Sequence, residues 1–528
     1  MPGSETTFRP HPARRWVQWV GAGLLACVVT LSVVGAVLAH RAAPILKTRI
    51  TETLQASFHG RVDLENLDIS GWHGFQVSGD HLRIYQPASG AQQPLVAVRH
   101  FEFHAPLFGL LFQPTHASEV KIDGLEINIP PPAARAAVTA SSPVERSGGH
   151  IDIVVDELVC DNSQLIIGNA DPHKGPKTFD LRHIELHNVS RHQPWRYQAN
   201  LTNAIPRGEV QATGTFGPWQ PDSPADTAVT GDYKFQHADL GTIRGIGGNL
   251  SSTGHFEGKL DRIAIDGTTD TPDFSVDTAN RPIPLQTRFH AIVDGITGDT
   301  YLQPVEAILR GSHFKTSGSV TDVKGVGHTI DLDVDVPAGR LQDFLDLVVA
   351  TQPPVLTAIL GAKAKLHISA GKERVVQKLS IQGRFTLRGM HFTNPEVQDK
   401  VDMLSLRAQG EPEKAKPGAE DVSQIMRGNF SLDNGAIRFH NLVYTLPGAQ
   451  VDLNGVYSLD GQLFDFRGHV LTAAPLYKMV QSRWASLALR AVSPFFRGQQ
   501  GGADIPVRIS GTRAAPKFGL DVAAFHRR

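Results

Sequence analysis

The chain has 528 residues, a formal net charge of −1 and only two cysteines. This charge balance excludes the long-range basic field by which proteins attract nucleic acid or anionic lipid surfaces. Cys27 lies in an apolar amino-terminal segment and Cys160 lies far beyond it, so we expect no disulfide between them. The 50 glycines and 34 prolines predict frequent turns, which is typical of a mainly β body.

The amino-terminal residues predict a membrane anchor. Residues 1–15 are polar, and residues 16–39 form a run of 24 residues without a charged side chain. A helix that rises about 1.5 Å per residue crosses the hydrocarbon core of a bilayer at this length. A cleaved signal peptide ending at Ala39 is the alternative, but the apolar run is longer than is typical of signal peptides. We therefore expect a cytoplasmic tail, one transmembrane helix in the bacterial inner membrane, and a periplasmic body.

The segments that follow are predicted from the spacing of their apolar residues. Residues 40–59 indicate a juxtamembrane amphipathic helix, because apolar side chains recur at every fourth position: Leu46, Ile50, Leu54 and Phe58. Short alternating runs predict an amino-terminal β region over residues 60–129. Residues 130–149 have no periodicity and indicate a flexible linker, and residues 150–382 return to alternation as a middle β-groove region.

Only two later segments have the spacing of a helix. In residues 340–360, a proline pair interrupts a helical pattern formed by four apolar residues: Leu341, Phe344, Leu345 and Val348. In residues 475–490 the pattern is formed by Leu476, Val480, Trp484 and Leu487. Two short helices cover only part of a sheet this long. We therefore expect an elongated antiparallel sheet that curls and leaves an apolar groove.

Residues 428–468, within a carboxy-terminal β region over residues 383–528, predict three consecutive hairpins. The chain carries three two-residue turn signals: Asn434-Gly435, Pro447-Gly448 and Asp460-Gly461. The first fits a type I′ turn, which needs positive φ at both central residues, and the second fits a type II turn. These turns predict three cross-strand pairs: Phe430 with Phe439, Tyr444 with Val451, and Tyr457 with Phe464.

The three turns place one apolar set on a single face of the predicted sheet. Its members are Phe430, Leu432, Ile437, Phe439, Leu442, Tyr444, Val451, Leu453, Tyr457, Phe464 and Phe466. Polar residues such as Ser431, Arg438 and Asp452 are predicted on the opposite face. The covering of the apolar face decides the function. A second layer makes this face ordinary core, whereas an open face lines a groove for an apolar ligand.

The sequence carries no pattern that indicates catalysis or a cofactor. Gly-x-Ser-x-Gly, His-Glu-x-x-His and Walker-type motifs are all missing, so we expect no enzyme. His183, His187 and His192 are the tightest group of histidines. Strand alternation is expected to send them to opposite faces, so no metal site is predicted.

Three stretches of the chain resemble the AsmA family of bacterial envelope proteins. They are residues 54–69 (LQASFHGRVDLENLDI), residues 383–412, which open the carboxy-terminal region, and the closing residues 503–522 (ADIPVRISGTRAAPKFGLDV). The hairpins of residues 428–468 belong to the same resemblance. It implies an inner-membrane anchor, a periplasmic β-groove, and a role in moving phospholipid toward the outer membrane, with no catalytic residues. The chain is far shorter than the relatives that bridge the periplasm.

Two functions are open at this stage. In the first, the apolar face is a groove that binds the acyl chains of phospholipid and moves them, with the eleven apolar residues as its lining. In the second, the face is closed core, and the protein is an anchored scaffold that binds other envelope proteins and affects their assembly.

Overall fold

The structure, a computed structural model, describes most of the chain after residue 60. The described residues are 61–70, 75–85, 94–105, 115–129, 153–167, 177–190, 192–218, 220, 223–295, 297–323, 326–349, 352–371, 373–416, 418, 424–459, 463–492, 496, 501–512 and 516–521. The predicted cytoplasmic tail, transmembrane helix, juxtamembrane helix and linker lie outside these residues. Over the described ranges, no helix is both long and apolar enough to cross a bilayer.

The chain forms two compact units. One consists of residues 1–201 with 216–219, and the other of residues 202–215 with 220–528. Both are built mainly from β-strands that pair antiparallel, which confirms the predicted mainly β class. The strands arise where apolar and polar residues alternate, because successive side chains of a strand point to opposite faces of a sheet.

The first unit contains strands β1 to β7 and most of β8. Their bounds are β1 Val62–Asp63, β2 Asn66–Ser70, β3 Phe75–Ile84, β4 Val96–Ala105, β5 Thr115–Ile129, β6 Ile153–Ile167, β7 Lys177–Val189 and β8 Trp195–Asn203. Strands β1 and β2 both pair with β3, and β3, β4 and β5 pair in sequence order. Strand β6 pairs parallel with β5 and antiparallel with β7.

The second unit contains most of β9 and all of β10 to β25. Their bounds are β9 Arg207–Phe216, β10 Ala228–Asp239, β11 Ile246–Gly247, β12 Asn249–Lys259, β13 Arg262–Val276, β14 Ile283–Val293, β15 Thr300–Leu309, β16 Ser312–Val323, β17 Gly327–Arg340, β18 Leu356–Ile368, β19 Leu379–Phe392, β20 Ile425–Asp433, β21 Ala436–Leu446, β22 Ala449–Ser458, β23 Phe464–Thr472, β24 Asp504–Gly511 and β25 Pro516–Leu520. Strands β12 to β25 pair antiparallel in sequence order.

Short helices interrupt this sheet of the second unit. They are the α-helices α1 Leu341–Val348, α2 Val375–Lys378, α3 Pro395–Gln409 and α4 Arg483–Val492, and the 3-10 helices Pro224–Asp226, Leu240–Thr242 and Leu476–Lys478. The predicted helix over residues 340–360 is therefore only half right. Its first part is α1, but strand β18 begins at Leu356, because Pro353 and Pro354 prevent the helix from continuing.

The prediction of only two later helices was wrong, because α3 is the longest helix among the described residues. Asn394 caps its amino terminus by accepting hydrogen bonds from the backbone N–H groups of Glu396 and Val397. Pro395 occupies the first turn, and Gly410 ends the helix with φ of 86°. A cap residue, an initial proline and a terminal glycine form a recognisable helix signal. This signal was overlooked because the helix lacks a continuous apolar stripe.

Candidate functional site

The predicted hairpin register of residues 428–468 is confirmed. Phe430 lies opposite Phe439, Tyr444 opposite Val451, and Tyr457 opposite Phe464. The turn residues have the required backbone angles, with φ of 49° at Asn434, 72° at Gly435 and 77° at Gly448. The third turn, Asp460-Gly461, lies outside the described residues.

A β-bulge at Asn441 keeps the apolar set on one face, and the sequence analysis did not predict it. Phe439 and Leu442 are three positions apart, so simple alternation would place them on opposite faces. The register of β21 against β22 shifts between these two residues, and Asn441 has φ of 52°. The extra residue compensates for the odd spacing, so that Phe439 and Leu442 point to the same face of the sheet.

The eleven predicted residues divide into a buried group and a half-buried group. Six are buried: Leu432, Leu442, Tyr444, Val451, Leu453 and Phe466. Four are half-buried: Phe430, Ile437, Phe439 and Tyr457. Phe464 takes its predicted place in the register, but its side chain is outside the described residues. The apolar face is therefore closed in one section and partly open in another.

The half-buried section is lined by a connected strip of aromatic rings. The ring centre of Phe385 lies 6.0 Å from that of Phe430 and 6.0 Å from that of Phe439, and the centres of Phe439 and Phe466 are 5.8 Å apart. Phe385 was predicted to lie in a strand but not in the site. Phe385 and Leu387 alternate with polar residues, and this pattern could have placed Phe385 on the apolar face. We call this half-buried strip, formed by Phe385, Phe430 and Phe439 with Ile437 and Tyr457, the apolar trough.

Several rings in the sheet of the second unit lie over glycines of the neighbouring strand. A Cβ atom added at Gly267 would lie 2.8 Å from the ring of Phe289, and one added at Gly455 would lie 2.5 Å from the ring of Phe466. A ring that covers a glycine lies along the sheet instead of projecting from it. The apolar surface is flattened by this arrangement.

Helices α1 and α3 cover the closed section. Ala408 of α3 is fully buried in the same cluster as Leu442, Tyr444 and Leu453, and Phe344 of α1 packs against that cluster. The carboxy-terminal end of α3 is held by two hydrogen bonds. Ser405 Oγ donates to the carbonyl of Pro447 at 2.7 Å, and the N–H of Ala474 donates to the carbonyl of Ala408 at 2.9 Å. Helix α3 thereby covers the Pro447-Gly448 turn.

Helix α1 is attached to the sheet by buried charges. Asp346 Oδ1 and Oδ2 accept hydrogen bonds from Arg281 and Arg310 at 2.9 and 2.8 Å. Asp343, 1% exposed, accepts from Ser312 Oγ at 2.7 Å and from Arg340 Nε at 3.0 Å. Its second oxygen lies 3.6 Å from Arg310, which is an ion-pair contact but too long for a hydrogen bond. The charged side of α1 faces the sheet ends, and Leu341 and Phe344 face the core.

Tyr444 is a polar group at the centre of the closed section. Its hydroxyl donates to Gln424 Oε1 at 2.7 Å. Burial raises the pKa of Tyr444 well above its ordinary value, and the negative charge of Asp402 raises it further. The phenol is therefore neutral at physiological pH, because burial disfavours its charged form.

The polar face of the same sheet carries shallow grooves of a different character. One, of about 650 Å³, is lined by Asp335, by apolar residues that include Ile359, Phe385 and Val443, and by four basic side chains: Lys363, Arg384, Arg388 and Arg427. These basic side chains alternate with the apolar ones and point away from the trough. The groove therefore combines charged and apolar groups, whereas the trough is lined by aromatic and aliphatic side chains.

The histidines singled out in the sequence require a correction. His183 and His187 were expected on opposite faces, but they lie on the same face of β7, since both contact the side chain of Glu185 between them. Positions separated by four residues share a face of a strand. His192 lies beyond the end of β7.

Cys160 is not a reactive thiol. It is 7% exposed on β6, and burial raises its pKa to about 11. The thiolate that nucleophilic or redox chemistry requires is therefore scarce at neutral pH.

Comparisons with known proteins find no matching family model, no matching curated protein and no matching solved structure. The interpretation of the apolar trough therefore depends on its own geometry and chemistry.

Proposed function

We propose that the apolar trough binds the acyl chains of lipids, and that the protein moves phospholipid across the bacterial envelope. The observation that carries this proposal is the half-buried state of Phe430, Ile437, Phe439 and Tyr457. These side chains are aromatic or aliphatic and lie in register, and they retain exposed surface, whereas closed core would bury them.

Lipid binding fits the chemistry of the trough. Transfer of an acyl chain from water to an apolar surface stabilises the complex by about 0.8 kcal/mol per buried methylene. The lining consists of aromatic and aliphatic side chains, and the hydroxyl of Tyr457 is the one polar side-chain group among its five members. A long apolar chain is held by such a surface without a preferred register along it.

The flattened surface supports movement as well as binding. Phe466, whose ring contacts Phe439 of the trough, covers Gly455 and therefore presents no large projection beside the trough. Packing against such a surface changes little as the chain advances. A lipid therefore meets small barriers along the trough, in contrast to a ligand held in a closed pocket.

The resemblance to the AsmA family supports the wider setting of the proposal. In that setting residues 16–39 anchor the protein in the inner membrane, the described β units lie in the periplasm, and phospholipid is carried toward the outer membrane. The implied partners are phospholipid acyl chains, the inner membrane and other envelope proteins. No nucleic acid, cofactor or catalytic step is part of this function.

An anchored scaffold is the second candidate, and the closed section favours it. Leu442, Val451 and Leu453 are each at most 9% exposed in the buried cluster to which α1 and α3 contribute side chains. A scaffold that assists the assembly of envelope proteins needs a stable core of this kind and no lipid path. It predicts that the half-buried rings bind no lipid.

The test places a charge on either face of one strand. Phe439→Asp puts a carboxylate in the trough, where its desolvation opposes the passage of an acyl chain. Arg438→Asp, on the adjacent position of β21, puts the same group on the exposed polar face and is the matched control. The measurements are co-purified phospholipid by mass spectrometry and the binding of a fluorescent fatty acid.

We expect wild type and Arg438→Asp to carry lipid, and Phe439→Asp to lose at least tenfold in fatty-acid affinity while it resists protease like wild type. The absence of lipid and of fatty-acid binding in wild type would favour the scaffold. Equal fatty-acid binding by the two Asp variants would show that the trough is not the binding site.

A further inference from the structure

A cluster of metal-ligating side chains lies on the polar face of the first unit. Strands β5, β6 and β7 place Glu119, Glu157 and His187 directly opposite one another. Glu185 precedes His187 by two positions, and its Oε1 lies 2.8 Å from His187 Nε2. One donor atom each from Glu157, Glu185 and His187 falls within 4.8 Å of the others.

The surroundings of this cluster have an excess of negative charge. Glu102, Glu119 and Glu157 lie around the ammonium group of Lys121, which donates to Glu119 at 2.7 Å, while Glu185 contacts His183 and His187. The charges of Glu119, Glu102 and Glu157 all raise the pKa of Lys121. The carboxylates of Glu102, Glu119 and Glu185 are only 25–30% exposed, so water screens them less than on an open surface. Such a site attracts a further cation.

We propose that Glu157, Glu185 and His187 bind a divalent transition-metal ion, with Zn²⁺ as the best match to the donor set. An imidazole nitrogen favours zinc, copper, iron or nickel over magnesium and calcium, and carboxylate oxygens are common additional ligands. Three protein ligands leave one coordination position open, as in zinc sites that hold water or a second ligand.

The geometry requires only side-chain adjustment. Ligands about 2.0–2.2 Å from a tetrahedral zinc ion are roughly 3.3–3.6 Å from one another. The donor atoms of the cluster lie within 4.8 Å of one another, so the widest pair closes by at most about 1.5 Å, whereas Glu185 Oε1 and His187 Nε2, now 2.8 Å apart, separate by about 0.5–0.8 Å. The strand backbone is fixed by pairing on both sides of β6, and rotation of the two glutamate side chains supplies this movement.

His290 and His367, in the second unit, differ from this cluster. His290 Nδ1 lies 2.8 Å from Asp266, and His367 Nδ1 lies 2.6 Å from Asp331, so each pairs with a single carboxylate. Within the part of the chain that the structure describes, Glu157, Glu185 and His187 are the one group of three such donors within reach of a common ion. His290 therefore provides a control for incidental binding to a surface histidine.

The experiment measures the affinity of the full-length chain, purified in detergent and stripped with a chelator, for ZnCl₂ by competition with a chromophoric chelator. We expect one zinc ion per chain, at least tenfold weaker binding in Glu185→Gln and His187→Ala, and no change in His290→Ala. Lys121→Gln removes the competing ammonium group and should strengthen binding severalfold, an effect that a misfolded variant does not produce.

X-ray absorption of the zinc-loaded wild type identifies the ligands. The expected spectrum contains oxygen and nitrogen donors with one imidazole. Sulfur in the first coordination shell, unchanged affinity in Glu185→Gln and His187→Ala, or no stoichiometric zinc in wild type would each overturn the site. None of these outcomes depends on whether the trough binds lipid.

Discussion

The ring of Phe466 lies directly over the backbone of Gly455, its partner in the register of β23 and β22. A Cβ atom at Gly455 would lie 2.5 Å from Cγ and Cδ1 of that ring, and also 2.5 Å from the carbonyl oxygen of Asp465. No side chain fits at this contact unless the ring and the neighbouring strand both move. The absence of a side chain at Gly455 is therefore what allows the ring to lie flat.

Gly455→Ala should lower the free energy of unfolding by about 1–3 kcal/mol, the usual cost of overpacking. Urea denaturation followed by circular dichroism measures this change. Gly519→Ala, in strand β25, is the control, because a Cβ atom there meets no other atom within 4 Å. Equal effects of the two substitutions would mean that the contact with Phe466 does not constrain the sheet.

Removal of a charged side chain that attaches α1 to the sheet should lower the free energy of unfolding. Asp346→Ala removes the carboxylate that accepts hydrogen bonds from Arg281 and Arg310, while Arg310 keeps its contact with Asp343, and we expect a loss of about 2–4 kcal/mol in the free energy of unfolding. We expect a smaller loss of stability than the largest losses known for buried ion pairs, because the side chain of Arg310 is 37% exposed.

Asp335→Ala, which removes an exposed ion pair with Lys363, is the control and should cost about 0–1 kcal/mol. The same denaturation experiment compares the two variants. A similar small effect for both would show that the buried charges do not hold α1 in place.

The closed and open sections of the apolar face should respond differently to truncation. Leu453→Ala creates a cavity in the buried cluster and should lower the free energy of unfolding by about 2–5 kcal/mol. Phe439→Ala removes a larger side chain, but from the half-buried trough, where solvent or ligand fills the space. We expect it to cost less than Leu453→Ala in thermal denaturation. The reverse order would indicate that the trough is closed core.

The raised pKa of Tyr444 predicts that the protein loses stability at alkaline pH. Because its pKa is raised in the folded state, the folded protein binds the phenolic proton more tightly than the unfolded chain. The resulting stability is complete below the unfolded pKa of about 10 and is lost as the pH rises from there toward the folded pKa.

Tyr444→Phe should therefore reduce the decline in stability above about pH 10, at a cost of about 1–2 kcal/mol near neutral pH for the lost hydrogen bond to Gln424. Urea midpoints measured from pH 7 upward provide the comparison. Tyr301→Phe, at an exposed position, controls for the loss of one hydroxyl. An alkaline slope that is identical in wild type and Tyr444→Phe would contradict the assignment.

Local signals in the sequence were sufficient for the hairpins. Asn434-Gly435 and Pro447-Gly448 specify their turns through backbone angles that few residues adopt, and strand parity then determines which side chains are paired. The cap at Asn394 and the glycine at Gly410 were equally local signals for α3. Apolar spacing does not indicate this helix, because its buried face carries Gln398, Asp402 and Ser405.

The sequence by itself determined the mainly β class, the turns and the division into an apolar and a polar face, because these depend on residues close together in the chain. Tertiary structure alone decided which part of the apolar face is covered. It also decided that the bulge at Asn441 keeps Phe439 and Leu442 on one face, and that Glu157 meets His187 across β6 and β7. These features depend on contacts between residues far apart in the chain, which the pattern of one strand does not encode.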